Sequence, residues 1–410
     1  MMQLAVKVLH VLLVHTSSSV PRRSFPIGLP SLFAFVLVAG CHHEPAPTTG
    51  GVPSDRYSAT LKARAEAEGA ATNDTTNVAS STDAGTARPT KSNANSNIDS
   101  EGLIVGDFDL PADAVIDGDT IEVEGVKGSL RLLGIDTEET FKNRKDLRDS
   151  AHFDAYLVAK RDGNHRPQKA ATPMGEEAKH FAKDFFHGVK SVHLERDTAK
   201  AIRGYYGRFL SYVFAFKDGK WVNYNVEAVR AGMSPYFMKY GYSERYHDAF
   251  VQAEAEARAA QRGIWAPGAQ AYADYPERIQ WWKSRGDFIA AFDKRAEGRD
   301  DYVKLTDWDS ILRIEQHLDK HVTVLGTVER ITPMSKGLMR VDLSQKQFRS
   351  FPIIFFNNEA FKQSGIEHAM GEYVAITGKV MLYKEKILEL GVWDAKDVRV
   401  QPIAPSKFEN

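Results

Sequence analysis

Between residues 117 and 208 the chain carries carboxylates and arginines of the kinds that hold a cation and a phosphate-like anion side by side. Asp117 and Asp119 lie in Asp117-Gly118-Asp119-Thr120, Asp136 and Glu139 follow Arg131 within ten residues, and Arg208 closes Tyr206-Gly207-Arg208. Carboxylate oxygens are the donors that hard cations such as Ca²⁺ take, with water completing the shell. A guanidinium offers a planar fork of N–H donors that matches phosphate oxygens, which the point charge of lysine does not. No nitrogen or sulfur ligands accompany these carboxylates, which argues against zinc. Asp117 reads as a turn residue, because Asp-Gly favours turns.

These residues need a frame that folds distant segments onto one spot. Residues 114–116 lead into the Asp117-Gly118 turn, and 120–123 and 130–135 read as short strands. Strict alternation would put Arg131 and Asp136 on opposite faces, since their separation is odd. The strand must therefore end or bulge, and Gly134 is the place for it. Pro173 after Thr172 starts a helix, and Ala178, Phe181, Ala182 and Phe185 recur at helical spacing before Gly188. Residues 192–194 and 209–216 read as strands, with Lys217-Asp218-Gly219-Lys220 as a hairpin turn before Trp221-Val222. Asn223 caps a short helix ending at Gly232, and Ser243 caps a longer one running to Arg262. Strands before and between three helices predict a mainly β, α+β unit: a small barrel flanked by helices.

In order along the chain, Asp117-Gly118-Asp119-Thr120, the run from Arg131 to Thr140, Gly175-Glu176-Glu177-Ala178, Tyr206-Gly207-Arg208 and Gly263-Ile264-Trp265 resemble the thermonuclease, or staphylococcal-nuclease-like, family over about 165 residues. The resemblance implies an OB-fold-type five-stranded barrel with three helices that hydrolyses DNA and RNA with Ca²⁺, leaving 3′-phosphate products. It implies Asp119, Asp136 and the Thr137 carbonyl as metal ligands. It assigns Glu139 to orienting or deprotonating the attacking water, and Arg131 and Arg208 to gripping the phosphate. Tyr206 matches a nucleotide-contacting tyrosine, with core packing as the competing reading. Tyr236, Lys239 and Tyr240 lie where the family places another such tyrosine, but the alignment slips there and none is assigned.

Two departures stand out. Glu138 occupies the place where the family usually has proline, and an added carboxylate there would draw calcium or displace Glu139, altering the metal requirement. The insertion 141–171 carries four more basic than acidic residues, reading either as a guide for a polyanion or as a solvated excursion. His152 and His165 within it read as surface residues.

The 410 residues allow two to three domains. With 53 Lys+Arg against 54 Asp+Glu the chain is not a basic nucleic-acid coat protein, and 26% charged residues exclude a multi-pass membrane protein. The single cysteine, Cys41, rules out an internal disulfide framework and a multi-cysteine zinc site. It follows Arg22-Arg23, an apolar stretch and Leu37-Val38-Ala39-Gly40, which resembles a bacterial lipoprotein signal and implies lipidation of Cys41. The alternative is a transmembrane anchor, for which the stretch is short. A second apolar stretch, residues 4–14, makes the signal unusually long. The expected organisation is a signal peptide over 1–40, a lipidated cysteine and unstructured linker over 41–100, the nuclease-like domain over 101–268, a helical connector over 269–317 and a second barrel over 318–403. The last rests on period-two apolar residues from Val322 to Leu390 with interspersed glycines, and is similar to a nucleic-acid-binding OB-fold. Phe348, Phe351, Tyr383 and Trp393 are either base platforms or core aromatics. The expected protein is an extracytoplasmic, membrane-tethered nuclease acting on DNA and RNA. Its rivals are a catalytically idle binding domain and a lipoprotein whose second barrel docks to the envelope.

Overall fold

Short β-rich segments split by glycine turns can bury their apolar faces only by closing on one another, and the chain does this twice. The computed structural model describes residues 102–164 and 166–402. The signal segment, Cys41, the linker and His165 lie outside the described residues.

The first barrel is built from β1 (Ile104–Asp109), β2 (Val115–Asp117), β3 (Thr120–Ile121), β4 (Leu130–Leu132), β5 (Ser191–Glu195) and β6 (Phe209–Lys217), with β7 (Lys220–Asn223) as a hairpin partner of β6. The sheet runs β1-β5-β6-β4-β3-β2, and β1 and β2 are two halves of one bent strand, so the ends meet and five strands close. β4 and β6 pair in parallel; the other neighbours are antiparallel. Ile121, Leu130, Leu132, Val192, Leu194, Val213 and Ala215 fill the interior. β4 stops at Leu132 and Gly134 adopts φ +73°, which releases Asp136 from strand alternation as the spacing required. A Cβ on Gly134 would also fall 2.4 Å from the Phe250 ring.

Helix α3 (Pro173–Phe186) starts at its Thr172 cap, whose hydroxyl accepts from Gly175 N at 3.1 Å, and buries Ala178 and Ala182. Helix α4 (Tyr224–Arg230) is capped by Asn223 as expected. Helix α5 (His247–Ala259) begins four residues after Ser243, not at it. There Asp197 accepts from the Ser243 hydroxyl and from the amides of Glu244 and Arg245, holding residues 243–246 in a turn before the helix. The insertion is neither a loop nor a free excursion. It forms α1 (Arg144–Asp149) and α2 (Phe153–Arg161), and Tyr156 packs into a small core with Met174, Ile264, Tyr272 and Tyr275.

Helix α6 (Tyr275–Ala296) leads to the second barrel: β8 (Tyr302–Lys304), helix α7 (Ser310–Glu315), β9 (His321–Pro333), β10 (Met339–Lys346), β11 (Arg349–Phe355), helix α8 (Asn358–Gln363), β12 (Tyr373–Tyr383), β13 (Ile387–Val392) and β14 (Val398–Val400). β8 pairs with β9, so the connecting segment contributes a strand as well as helices. The closed ring runs β9-β10-β11-β13-β12 and back to β9, with β11 and β13 parallel and α8 between the third and fourth strands. The first barrel has the same order, the same parallel pair and α3 at the same point. The chain is therefore two OB-type barrels in tandem, and the expected α+β fold class holds for both. Among the described residues no helix is long and apolar enough to cross a membrane.

Candidate active site

Strand register puts the candidate residues at one mouth of the first barrel. Thr120 pairs with Arg131 across β3 and β4, and Leu130 pairs with Phe209, so Asp119, Arg131 and Arg208 come together although 89 residues of sequence separate the first from the last. Arg131 binds Asp119 through one terminal nitrogen and Asp136 through the other. Asp119 also accepts from the Thr120 hydroxyl at 2.8 Å and the Thr137 amide at 3.2 Å. Arg208 Nη1 donates to the same Thr120 hydroxyl at 3.3 Å. The Asp136 amide donates to Ser234 Oγ at 2.9 Å, fixing the loop beyond Gly134.

The Gly175-Glu176-Glu177-Ala178 motif holds this loop from behind. A Cβ on Gly175 would lie 2.1 Å from the Glu139 carbonyl, so only glycine lets the start of α3 press against it. Thr172 N donates to that carbonyl at 3.0 Å, and Glu176 Oε1 accepts from Phe141 N at 2.7 Å. Gly118 is equally confined, with Thr137 and Ala178 side chains under 3 Å from a Cβ placed there.

Neighbouring cations favour the ionised forms of Asp119 and Asp136. Burial pushes the Asp119 carboxyl up, but the charges of Arg131 and Lys169, with hydrogen bonds from Arg131 and Thr120, outweigh it and hold it down to about 2. Asp136 is lowered against the same burial by Lys169 and Arg131. Asp117, whose Oδ1 accepts from Asp119 N, is pushed up to about 6 by burial and by the Asp119 charge, in keeping with a turn residue.

Lys169, from the end of the insertion, was not singled out by sequence, yet its Nζ lies 2.9 Å from Asp136 Oδ1 and 3.2 Å from Glu139 Oε1. Lys142 reaches the other Glu139 oxygen at 3.2 Å. Of the insertion's other cations, Lys145 pairs with Asp149 and Lys160 with Asp146 inside it, whereas Arg161 reaches Glu277 and Arg166 reaches Glu372. Tyr206 is 66% exposed, which removes the core-packing reading. Tyr236 is buried and stacked on Phe250, whereas Tyr240 is exposed and close enough to Asp136 and Arg131 to feel their charges. Lys239 lies over the Trp281 ring, and burial, then Arg285, pushes its pKa down to about 8. Of the sequence-marked aromatics in the second barrel, Phe351 is core, Trp393 stacks on Phe356, and Phe348 and Tyr383 are exposed.

Glu138 does not behave as expected. It is 1% exposed and turned away from the acids, accepting from the Thr172 hydroxyl, from Tyr272 N at 2.7 Å and from the Tyr275 hydroxyl at 2.8 Å. Its carboxylate is committed to these donors, so it neither joins the Asp119–Asp136 pair nor displaces Glu139. Among the described residues no three His, Cys, Asp or Glu side chains gather as a metal site. The two-carboxylate set is all oxygen and suits a hard cation whose remaining ligands are backbone carbonyl and water.

A five-stranded barrel whose mouth gathers acids and arginines is of the class that can hold a cation and a phosphate group side by side. Residues 129–267 match the family model for staphylococcal nuclease homologues. The chain is 31% identical over 157 residues to the thermonuclease of Staphylococcus hyicus, covering 37% of this chain and 72% of that protein. It is 32% identical over 162 residues to an uncharacterized protein of Methanocaldococcus jannaschii, covering 37% of this chain and 68% of that one. The chain belongs to the staphylococcal nuclease homologue family.

Proposed function

We propose that the chain is a calcium-dependent nuclease that hydrolyses phosphodiester bonds of DNA and RNA with little sequence preference, leaving 3′-phosphates, while tethered by lipid on Cys41 to an extracytoplasmic membrane surface. The observation that carries the catalytic part is Arg131 clasping Asp119 and Asp136 at the barrel mouth, with Glu139 and Arg208 beside them. Asp119, Asp136 and the Thr137 carbonyl would hold Ca²⁺, which when bound neutralises phosphate charge. Glu139 aligns a water for attack on phosphorus and takes its proton; the 5′-oxygen leaves, so the phosphate stays on the 3′ side. Arg131 keeps donors to spare beyond its two carboxylates, and with Arg208 it meets the charge that builds on the equatorial oxygens. Tyr206 supports the adjoining nucleotide.

Glu138 would argue for a catalytically idle binding domain if it invaded this set, and its position in a separate hydrogen-bond cluster removes that ground. End-group analysis of the products tests the reading: 3′-phosphate and 5′-hydroxyl ends support it, and 5′-phosphate ends contradict it. The lipoprotein signal motif supports the tether, and Cys41→Ser should move the protein from the membrane fraction to the soluble one. Retention in the membrane fraction would point instead to an uncleaved anchor.

A further inference from the structure

The hairpin joining β10 and β11 turns at Gln347-Phe348, and its tip is unusual. Phe348 adopts φ +62°, a backbone conformation that non-glycine residues rarely take, and its side chain is 94% exposed. A large apolar ring held in water at a conformational cost does nothing for the barrel core, which is already filled by Leu343, Phe351 and Ile353. The tip is not isolated. Gln347 N donates to the Tyr205 carbonyl at 2.8 Å, and the Tyr205 hydroxyl reaches Glu329 of β9 at 3.5 Å. Phe348 is thus anchored one residue away from the loop that carries Tyr206 and Arg208.

That loop is itself braced. Arg203 donates to the Gly207 carbonyl at 2.7 Å and stacks on the Phe209 ring at 3.6 Å, and the Tyr205 and Tyr206 rings meet edge to face at 5.0 Å. Cations alternate with exposed rings along the two segments: Arg203, Tyr206 and Arg208 on one, Lys346, Phe348 and Arg349 on the other. Glu329 also accepts from the Ser344 hydroxyl of β10 at 3.3 Å. Rings that offer a flat face, interleaved with cations, are what successive bases and phosphates of a single strand require. The surface is continuous with the segment that carries Arg208, which is what favours a nucleic-acid strand as its occupant.

We propose that Tyr206 and Phe348 form a base-stacking track that carries single-stranded nucleic acid from the barrel mouth onto the second barrel. This rests on the nuclease reading for its substrate class, but the track itself is tested by binding. The full chain in a Glu139→Gln background, so that oligonucleotide is not consumed, is titrated with fluorescent oligothymidylates of about 4 and about 12 nucleotides, one at the lower end of the footprint of an OB-fold and one well within it. Phe348→Ala should weaken binding of the longer strand roughly tenfold and that of the shorter one much less, and Phe348→Trp should bind like the parent. The 94% exposure of the ring means that the substitution leaves the core intact, which an unchanged Tm verifies. Equal affinity of Phe348→Ala and parent for the longer strand overturns the track, whatever the cleavage assays show. A length-dependent loss in a chain that cleaves nothing would keep the track and remove only the nuclease.

Discussion

At the scale of single residues, the candidate site is a charge arrangement in which Arg131 and Lys169 hold the Asp119 and Asp136 carboxyls below the usual carboxylate range. Glu139 and Arg208 act on groups that change during reaction, so Glu139→Ala and Arg208→Ala should each lower kcat by about 10²- to 10⁴-fold with little change in KM. Steady-state kinetics on single-stranded DNA checks this, and a rise in KM at constant kcat would contradict their roles. Asp119, Arg131, Asp136, Glu139 and Arg208 were legible because their order and spacing form a recognisable pattern, and the structure brings them to one mouth. Lys169 was not legible: it is one of several basic residues in the insertion, and only folding selects it for Asp136 and Glu139 while Lys145 and Lys160 pair with Asp149 and Asp146. Tyr240 was passed over for a similar reason, since nothing in the spacing of Tyr236 and Tyr240 says that the first is buried and the second exposed.

At the scale of elements, Glu138 shows how a substitution in a motif can belong to a neighbouring element. Read alone, a carboxylate beside the catalytic glutamate suggests interference. In the fold it accepts from Thr172 at the start of α3 and from Tyr272 and Tyr275 at the start of α6, so it ties the acid loop to both helices. Glu138→Ala would leave a buried amide and two hydroxyls without their acceptor, at a cost of about 3 kcal/mol in stability. Denaturant unfolding reads that loss, and the calcium concentration for half-maximal activity should not move. A shifted calcium requirement with unchanged stability would return Glu138 to the metal site. Elements bounded by strong local signals were legible in sequence: Thr172-Pro173 starts α3, Asn223 caps α4, and Asp218-Gly219 turns β6 into β7 with φ +51° and +80°. The start of α5 was not, because Asp197, distant in sequence, holds the residues after Ser243 in a turn.

At the scale of the whole molecule, the two barrels share one fold and a buried polar junction. Glu372, 2% exposed at the start of β12, accepts from Arg166 of the insertion and from Trp281 and Arg285 of α6, and Arg285 also donates to the Lys239 carbonyl near the site. Removing the second barrel would strand the buried Arg285, so point substitutions report its contribution more cleanly than truncation. The alternation of apolar residues revealed the second barrel's strands, but this junction joins residues 46 to 206 positions apart and left no local signature. Asp307, in the middle of the loop between β8 and α7, has a buried Oδ1 without a hydrogen-bond partner and faces Lys304, Asp309, Lys200 and Arg313. Burial pushes its carboxyl from 3.8 to about 6. A folded-state pKa above the unfolded value gives stability that is present below about pH 4 and lost as pH rises through about 6. Asp307→Asn should therefore gain stability over the parent by about 1–3 kcal/mol between pH 4 and pH 7, read from Tm at both pH values. A gap that does not widen with pH would contradict this.

The central claim is that Asp119 and its partners form a metal-dependent phosphodiesterase, and cleavage of labelled single-stranded DNA and RNA with Ca²⁺ and with a calcium chelator, beside Asp119→Asn, tests it most directly. The account predicts cleavage to 3′-phosphate ends with Ca²⁺, abolished by the chelator and by Asp119→Asn in a chain that remains folded by circular dichroism. Binding without cleavage at any calcium concentration, or cleavage that Asp119→Asn leaves untouched, would contradict it.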